Sequence, residues 1–253
     1  MSSRRSEILP TAVLAGCAAL AVGLAVAVVA VVAGESIGFA FGDHHVSVDV
    51  WALCRGTLTV SFLALAVALP LGLTMAVTLR ELASPALRLA IRPWLALFAT
   101  MPPIVFAYLA ITVQRGVRWS QIPALTLGLL LAPFVARVFD TALRNAPEGM
   151  RDAALALGAT RLEAWLHILL PASARAMASA VLLTFVRAIG ESVVVAVAAS
   201  TEVTTLAAEP VRAALGRGPP LSHPDIFVVG GVLVAATVVL HRLAMRLYPR
   251  ERT

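Results

Sequence analysis

An arginine and a glutamate four residues apart, Arg187 and Glu191, stand inside a stretch of chain that is otherwise apolar. Counted from Ala176, Arg187 lies roughly 16 Å along a helix at about 1.5 Å per residue. That is close to the middle of a hydrocarbon layer about 30 Å thick. An ionised arginine there costs about 2.5–3.5 kcal/mol or more, so it faces a partner or a wet pathway. The i, i+4 spacing predicts one helical stripe with Thr184, Arg187, Ala188 and Glu191, Ser192 following and Gly190 admitting a neighbouring backbone. A guanidinium fork matches a tetrahedral oxyanion. Glu191 would hold Arg187 between binding events, and can accept the acidic proton of hydrogen phosphate, which sulfate lacks. The plainer alternative is an internal Arg–Glu pair that only fixes helix packing.

A second patterned segment, residues 147–171, is polar and lies between two long apolar runs. Pro147 and Glu148 mark a helix start, with Glu148 and Asp152 favoured at its positive end. Met150, Ala153, Ala154 and Leu157 recur at i, i+3, i+4 and i+7 and predict one apolar face. Gly158 permits a sharp turn. A second short helix over 161–169 groups Leu162, Trp165, Leu166 and Leu169, and Pro171 is expected to end it. Two short helices meeting at a glycine suit insertion into a groove on a partner. The alternative is an amphipathic interfacial loop that merely caps the bundle.

The elements that must position these segments are membrane helices. The chain has 253 residues, 60% apolar and 13% charged, with a mean hydropathy of +0.90; soluble domains average about 45–50% and about 25%. Long unalternating apolar runs specify helices rather than a barrel. We expect an all-α polytopic bundle of about six spans, near 11–33, 50–79, 93–113, 122–143, 173–200 and 226–247. All 20 basic residues are arginine, so no Walker A lysine is present and any ATP is hydrolysed elsewhere. The pI near 10.8 does not signal nucleic acid, because the arginines flank apolar spans instead of forming a basic stripe with aromatics. Cys17 and Cys54 lack metal-like spacing and read as small core residues.

Orientation follows from the arginines. An inside N-terminus puts Arg4, Arg5, Arg80, Arg88, Arg92, Arg137, Arg144, Arg151, Arg161, Arg175, Arg242, Arg246, Arg250 and Arg252 in the cytoplasm, 14 of the 20. Both termini and the 147–171 insert are then cytoplasmic. The first helix is too long for a signal-peptide core and is expected to be retained.

The spacing Asp152-Ala153-Ala154, three residues, Gly158, nine residues, Ile168-Leu169-Leu170-Pro171 resembles the cytoplasmic coupling loop of ABC-importer permeases. That pattern is Glu-Ala-Ala, three residues, Gly, nine residues, Ile-x-Leu-Pro; Asp152 replaces the Glu. The string Arg187-Ala188-Ile189-Gly190-Glu191-Ser192 resembles the Arg-Ala-x-Gly-Glu-Thr segment of bacterial phosphate-importer permeases. The Val193–Val197 run leans toward the PstC-like member of their pair. Against phosphate, Met101-Pro102-Pro103 is similar to the Pro-Pro of molybdate-type permeases. The resemblance covers residues 52–248, with 1–51 a preceding helix and external loop. It implies a type I, MetI-like permease fold, with no catalysis by this chain. Coupling to the ATPase falls to Asp152, Ala153, Ala154, Gly158, Ala159, Leu170 and Pro171, and the substrate pathway to Thr184, Arg187, Glu191 and Ser192. Implied partners are a cytoplasmic ABC ATPase dimer using ATP and Mg, a second permease subunit and an extracytoplasmic phosphate-binding protein, in the bacterial inner membrane among its lipids. Sulfate, molybdate or tungstate is the alternative cargo, and an ion-coupled secondary transporter the alternative machine.

Smaller candidates are weighed similarly. His44 and His45, adjacent without further ligands, read as solvated. Asp140 and Arg137 are expected to anchor at the interface. Trp51, Trp94 and Trp119 suit an aromatic belt, and Arg115 and Arg118 either attract anions at the external mouth or snorkel to the interface.

Overall fold

The computed structural model describes residues 3–42, 46–116, 121–144, 149–191, 193–198, 204–216, 218 and 220–248. Among them every regular element is helical: α1 (Ser3–Phe41), α2 (Val50–Val77), α3 (Pro85–Thr100), α4 (Pro103–Gly116), α5 (Ile122–Arg144), α6 (Met150–Ala156), α7 (Arg161–Ala164), α8 (Leu170–Ala172), α9 (Ala174–Gly190), α10 (Val193–Ala198), α11 (Ala208–Ala214) and α12 (His223–Leu247). Wider π-helical turns occupy Thr78–Leu82 and Trp165–Leu169. Among the described residues, four helices are long and apolar enough to cross a membrane: Val13–Phe39, Val50–Arg80, Ile122–Arg144 and His223–Leu247. There are six crossings if each of two bent pairs, Pro85–Phe98 with Pro103–Val113 and Arg161–Ala172 with Ala174–Gly190, counts as one.

The chain forms two compact units, residues 1–48 with 221–234, and 49–220 with 235–253. In the first, α1 runs eight residues beyond the expected end of the first span, through Gly34 and Glu35 to Phe41. A helix closes its own backbone hydrogen bonds, so a single polar turn does not stop it. The Ser36 hydroxyl lies against the carbonyls of Val32 and Phe227, and Phe39 packs on the Phe227 ring. Asp225, fully buried, accepts from the backbone N–H and hydroxyl groups of both Ser47 and Ser222 at 2.6–3.1 Å. Cys17 is exposed on α1, not in a core as expected, within residues 13–31, all of which the described residues leave exposed.

The second unit is built around α5, against which α2, α3, α4, α9 and α10 pack. Its fully buried side chains include Leu127, Leu131, Val135 and Leu143, the i, i+4 pattern of a helix sunk in a core. Gly72 and Gly128 let α2 and α5 approach closely. A Cβ on Gly128 would sit 2.6 Å from the Ala64 carbonyl oxygen, and one on Gly72 would collide with Val135; small residues make such contacts possible.

The expected third span does not run unbroken over 93–113. Its helix starts at Pro85, capped by the Ser84 hydroxyl, and stops at Met101 with φ −58° and ψ 132°. Proline rings disfavour a helical conformation in the preceding residue, so Met101 turns extended before Pro102. The two halves meet at 85°. The expected fifth span, 173–200, is likewise broken: α9 ends at Gly190 and α10 starts at Val193. Pro171 does not end its helix either. The π turn at Trp165–Leu169 widens the spiral just upstream, and helical structure continues to Ala172 before a 77° bend into α9.

Candidate functional site

The insert is shaped almost entirely by its own backbone. Pro147 and Glu148 lie outside the described residues. α6 begins after Gly149, which adopts φ 81°. Its other end is closed by a pair of bonds: Ala159 N–H donates to the Ala154 carbonyl at 3.1 Å and Gly158 N–H to that of Leu155 at 3.0 Å. This 6→1 and 5→2 pairing is the Schellman arrangement, and it needs a left-handed residue at the turn. Gly158 supplies it with φ 89°.

The next helix is opened by a capping box, Thr160-Arg161-Leu162-Glu163. Glu163 N–H donates to Thr160 Oγ1 at 3.2 Å, and Thr160 N–H donates to Glu163 Oε2 at 2.8 Å. The backbone N–H and then the hydroxyl of Thr160 hold the Glu163 carboxyl below the usual carboxylate range, with His167 adding a smaller pull. The sequence pattern Thr-x-x-Glu announces this cap, which the apolar face and the glycine of the insert do not show.

The two expected apolar faces divide. Ala154, Ala164, Trp165 and Leu169 are buried, tying the insert down. Leu157, Leu162 and Leu166 are 90%, 52% and 43% exposed. Trp165 and Leu169, like Leu162 and Leu166, are i, i+4 neighbours, so the two pairs lie on different sides of one short helix. Asp152 and Ala153 are exposed, Ala159 and Leu170 half-buried and Pro171 exposed. The insert thus presents leucines to its surroundings from a frame fixed by local hydrogen bonds.

The charged segment differs from its expected geometry. Arg187 sits in the last turn of α9 with its side chain exposed. Glu191 follows the helix end in extended conformation, φ −82° and ψ 93°, and is half-buried. The two do not share a continuous helical stripe, and no ion pair joins them among the described residues. The Arg187 guanidinium instead lies 4.8 Å from the centroid of the Phe134 ring on α5. A ring face attracts a cation, and the carbonyl end of α9 does the same. Neither occupies the guanidinium as a carboxylate would. Thr184 is buried, and its hydroxyl donates to the Ala180 carbonyl at 2.9 Å; Ser192 and the two histidines, His44 and His45, lie outside the described residues. Trp51 and Trp94 are exposed, as an aromatic belt requires; Trp119 and Arg118 are outside the described residues.

The sequence model of one protein family, described as binding-protein-dependent transport system inner membrane component, matches residues 68–253. Among curated proteins, the chain is 27% identical over 150 residues to the probable ABC transporter permease protein YqgH of Bacillus subtilis, covering 55% of this chain and 48% of that one. It is 32% identical over 158 residues to the phosphate transport system permease protein PstA 1 of Mycobacterium tuberculosis, covering 61% and 50%. It is 28% identical over 152 residues to the D-methionine transport system permease protein MetI of Escherichia coli O157:H7, covering 56% and 69%. The chain therefore spans about half the length of the first two. Among solved structures, inward-facing MetNI methionine ABC transporter matches 79% of this chain and 92% of its own with a TM-score of 0.63 at 22% identity, a likeness of fold.

Proposed function

The chain belongs to the family of binding-protein-dependent transport system inner membrane components, and on that premise we propose that it is the membrane-spanning permease subunit of an ATP-driven phosphate importer. An ATPase pair on the cytoplasmic side grips the insert through Leu157, Leu162 and Leu166. ATP and Mg act there, in the partner. Closure of that pair rocks the helices around α5 between inward- and outward-open states. Cargo is delivered by an external binding protein, and a second permease subunit completes the pathway.

The observation that carries the phosphate reading is Arg187. Its guanidinium is exposed beside a helix break, steadied by an aromatic face and a helix end rather than neutralised by Glu191. Such a group can take an oxyanion bidentately and release it when the break rearranges. Relatives include PstA 1, named as a phosphate transport system permease, but also MetI, named for D-methionine. An amino acid offers a single carboxylate where phosphate offers a whole tetrahedral face, so the two readings separate by competition. The test is labelled phosphate uptake into vesicles holding the assembled complex and ATP. We expect unlabelled phosphate to compete, and sulfate, molybdate and D-methionine to compete poorly. Efficient competition by D-methionine would transfer the assignment to amino-acid import.

A further inference from the structure

The ends of α2 and α5 and the start of α3 close around a cavity of about 370 Å³, walled by Arg80, Arg88, Arg137 and Arg144, with Asp140 and the apolar Leu95 among them. Among the described residues that line it, four arginines stand with one carboxylate. Asp140 Oδ2 accepts from Arg144 Nε at 3.1 Å and Nη2 at 2.9 Å. Its Oδ1 lies 3.5 Å from Arg80 Nη1. Asp140 is thus committed to two arginines. Arg88 is fastened by its Nη2, which donates to the Arg80 carbonyl at 3.0 Å and the Ala83 carbonyl at 3.4 Å. Its Nε is buried with no hydrogen-bond partner. Arg137 has no ion-pair partner among the described residues. The remaining positive charge lines one recess together with the apolar Leu79, Leu95 and Pro133.

Like charges so close repel, and a buried donor without an acceptor costs free energy. Both costs are relieved by one kind of occupant, an anion with several acceptor oxygens. We infer that this recess binds a phosphate group, carried by a phospholipid headgroup or by free phosphate. Basic pockets at the ends of membrane helices take phosphate headgroups by this chemistry, and guanidinium forks match phosphate geometry. Arg88 Nε and Arg137 contribute the uncommitted donors, while Asp140 spaces Arg80 and Arg144. The recess shares no residue with the Arg187 segment, and the inference holds whichever cargo the importer moves.

The full chain in detergent tests it with two probes. Native mass spectrometry counts retained phosphatidylglycerol against phosphatidylcholine, and equilibrium dialysis measures labelled inorganic phosphate. R88Q/R137Q should lower binding of at least one probe by about tenfold or more; the probe affected identifies the source. R242Q/R246Q, which removes two arginines elsewhere, should leave both readings unchanged. Asp140→Asn removes the carboxylate charge beside Arg144 and Arg80 and should raise binding about threefold, a gain that misfolding does not produce. Unchanged binding in R88Q/R137Q, an equal loss in R242Q/R246Q, or no gain in Asp140→Asn would overturn the site.

Discussion

The insert and the Arg187 segment are both polar interruptions of an apolar chain, yet they are held in opposite ways. Between Gly149 and Leu169 the turns are closed by bonds among near neighbours, a Schellman pair at Gly158 and a capping box at Thr160. Arg187 is held by a ring from another helix, and the chain beyond it leaves helical geometry with only a 3.4 Å contact from Glu191 N–H to the Ala188 carbonyl. A lever that transmits force must keep its shape when its surroundings move, so local hydrogen bonds suit it. Under the proposed function the Arg187 segment must change shape when helices shift, which a contact with a neighbouring helix permits.

The largest effect that can break this contrast is expected from L157D/L162D. Both leucines are exposed, so the chain should fold and melt as before while ATP-driven uptake drops to background. A lowered melting temperature would show that the leucines pack within the chain instead. Arg187→Gln should reduce phosphate uptake by about tenfold or more, with the ATPase still co-purifying; unchanged uptake would return Arg187 to packing. Gly158→Val puts a β-branched residue at φ 89°. Nothing crowds the added Cβ, so only backbone strain of about 1–2 kcal/mol is expected, read as faster amide exchange from Ala153 to Ala159. Thr160→Ala removes the cap at a cost of about 1 kcal/mol, seen as faster exchange confined to the start of α7.

The smallest effect is the pH dependence of that cap. Glu163 has a lowered pKa in the folded insert. Its contribution is therefore complete above the unfolded value of about 4.3 and is lost as pH falls through the folded value. Protection from exchange at the start of α7, taken relative to the intrinsic rate at each pH, should fall on acidification below about pH 4.3, and Glu163→Gln should flatten that profile.

Much of this was legible in the residues. The apolar runs located α2, α5 and α12 to within a few positions, because a helix that must cross hydrocarbon needs a fixed length. The family spacing and Gly158 located the turn of the insert. What escaped had two causes. The break at Met101 is announced by Pro102, because a proline limits the conformation of its predecessor, whereas span length alone favours an unbroken helix. The capping box was also printed in the sequence, at Thr160 and Glu163. Other features are tertiary. Nothing local says that α1 continues to Phe41, where Ser36 meets Phe227, or that Phe134 will lie beneath Arg187. Nor does the spacing of Arg80, Arg88, Arg137 and Arg144 show that they share one cavity; Arg137 and Asp140 read singly as interface anchors.

The central claim is that an ATP-hydrolysing partner grips the insert, and a photo-reactive amino acid placed at Leu157 in intact cell membranes tests it most directly. Irradiation should yield an adduct with a protein carrying a Walker A lysine, and the adduct should vanish in a chain that also carries Leu162→Asp. Capture of proteins from the outer side of the membrane, with no ATPase among the adducts, would contradict the account.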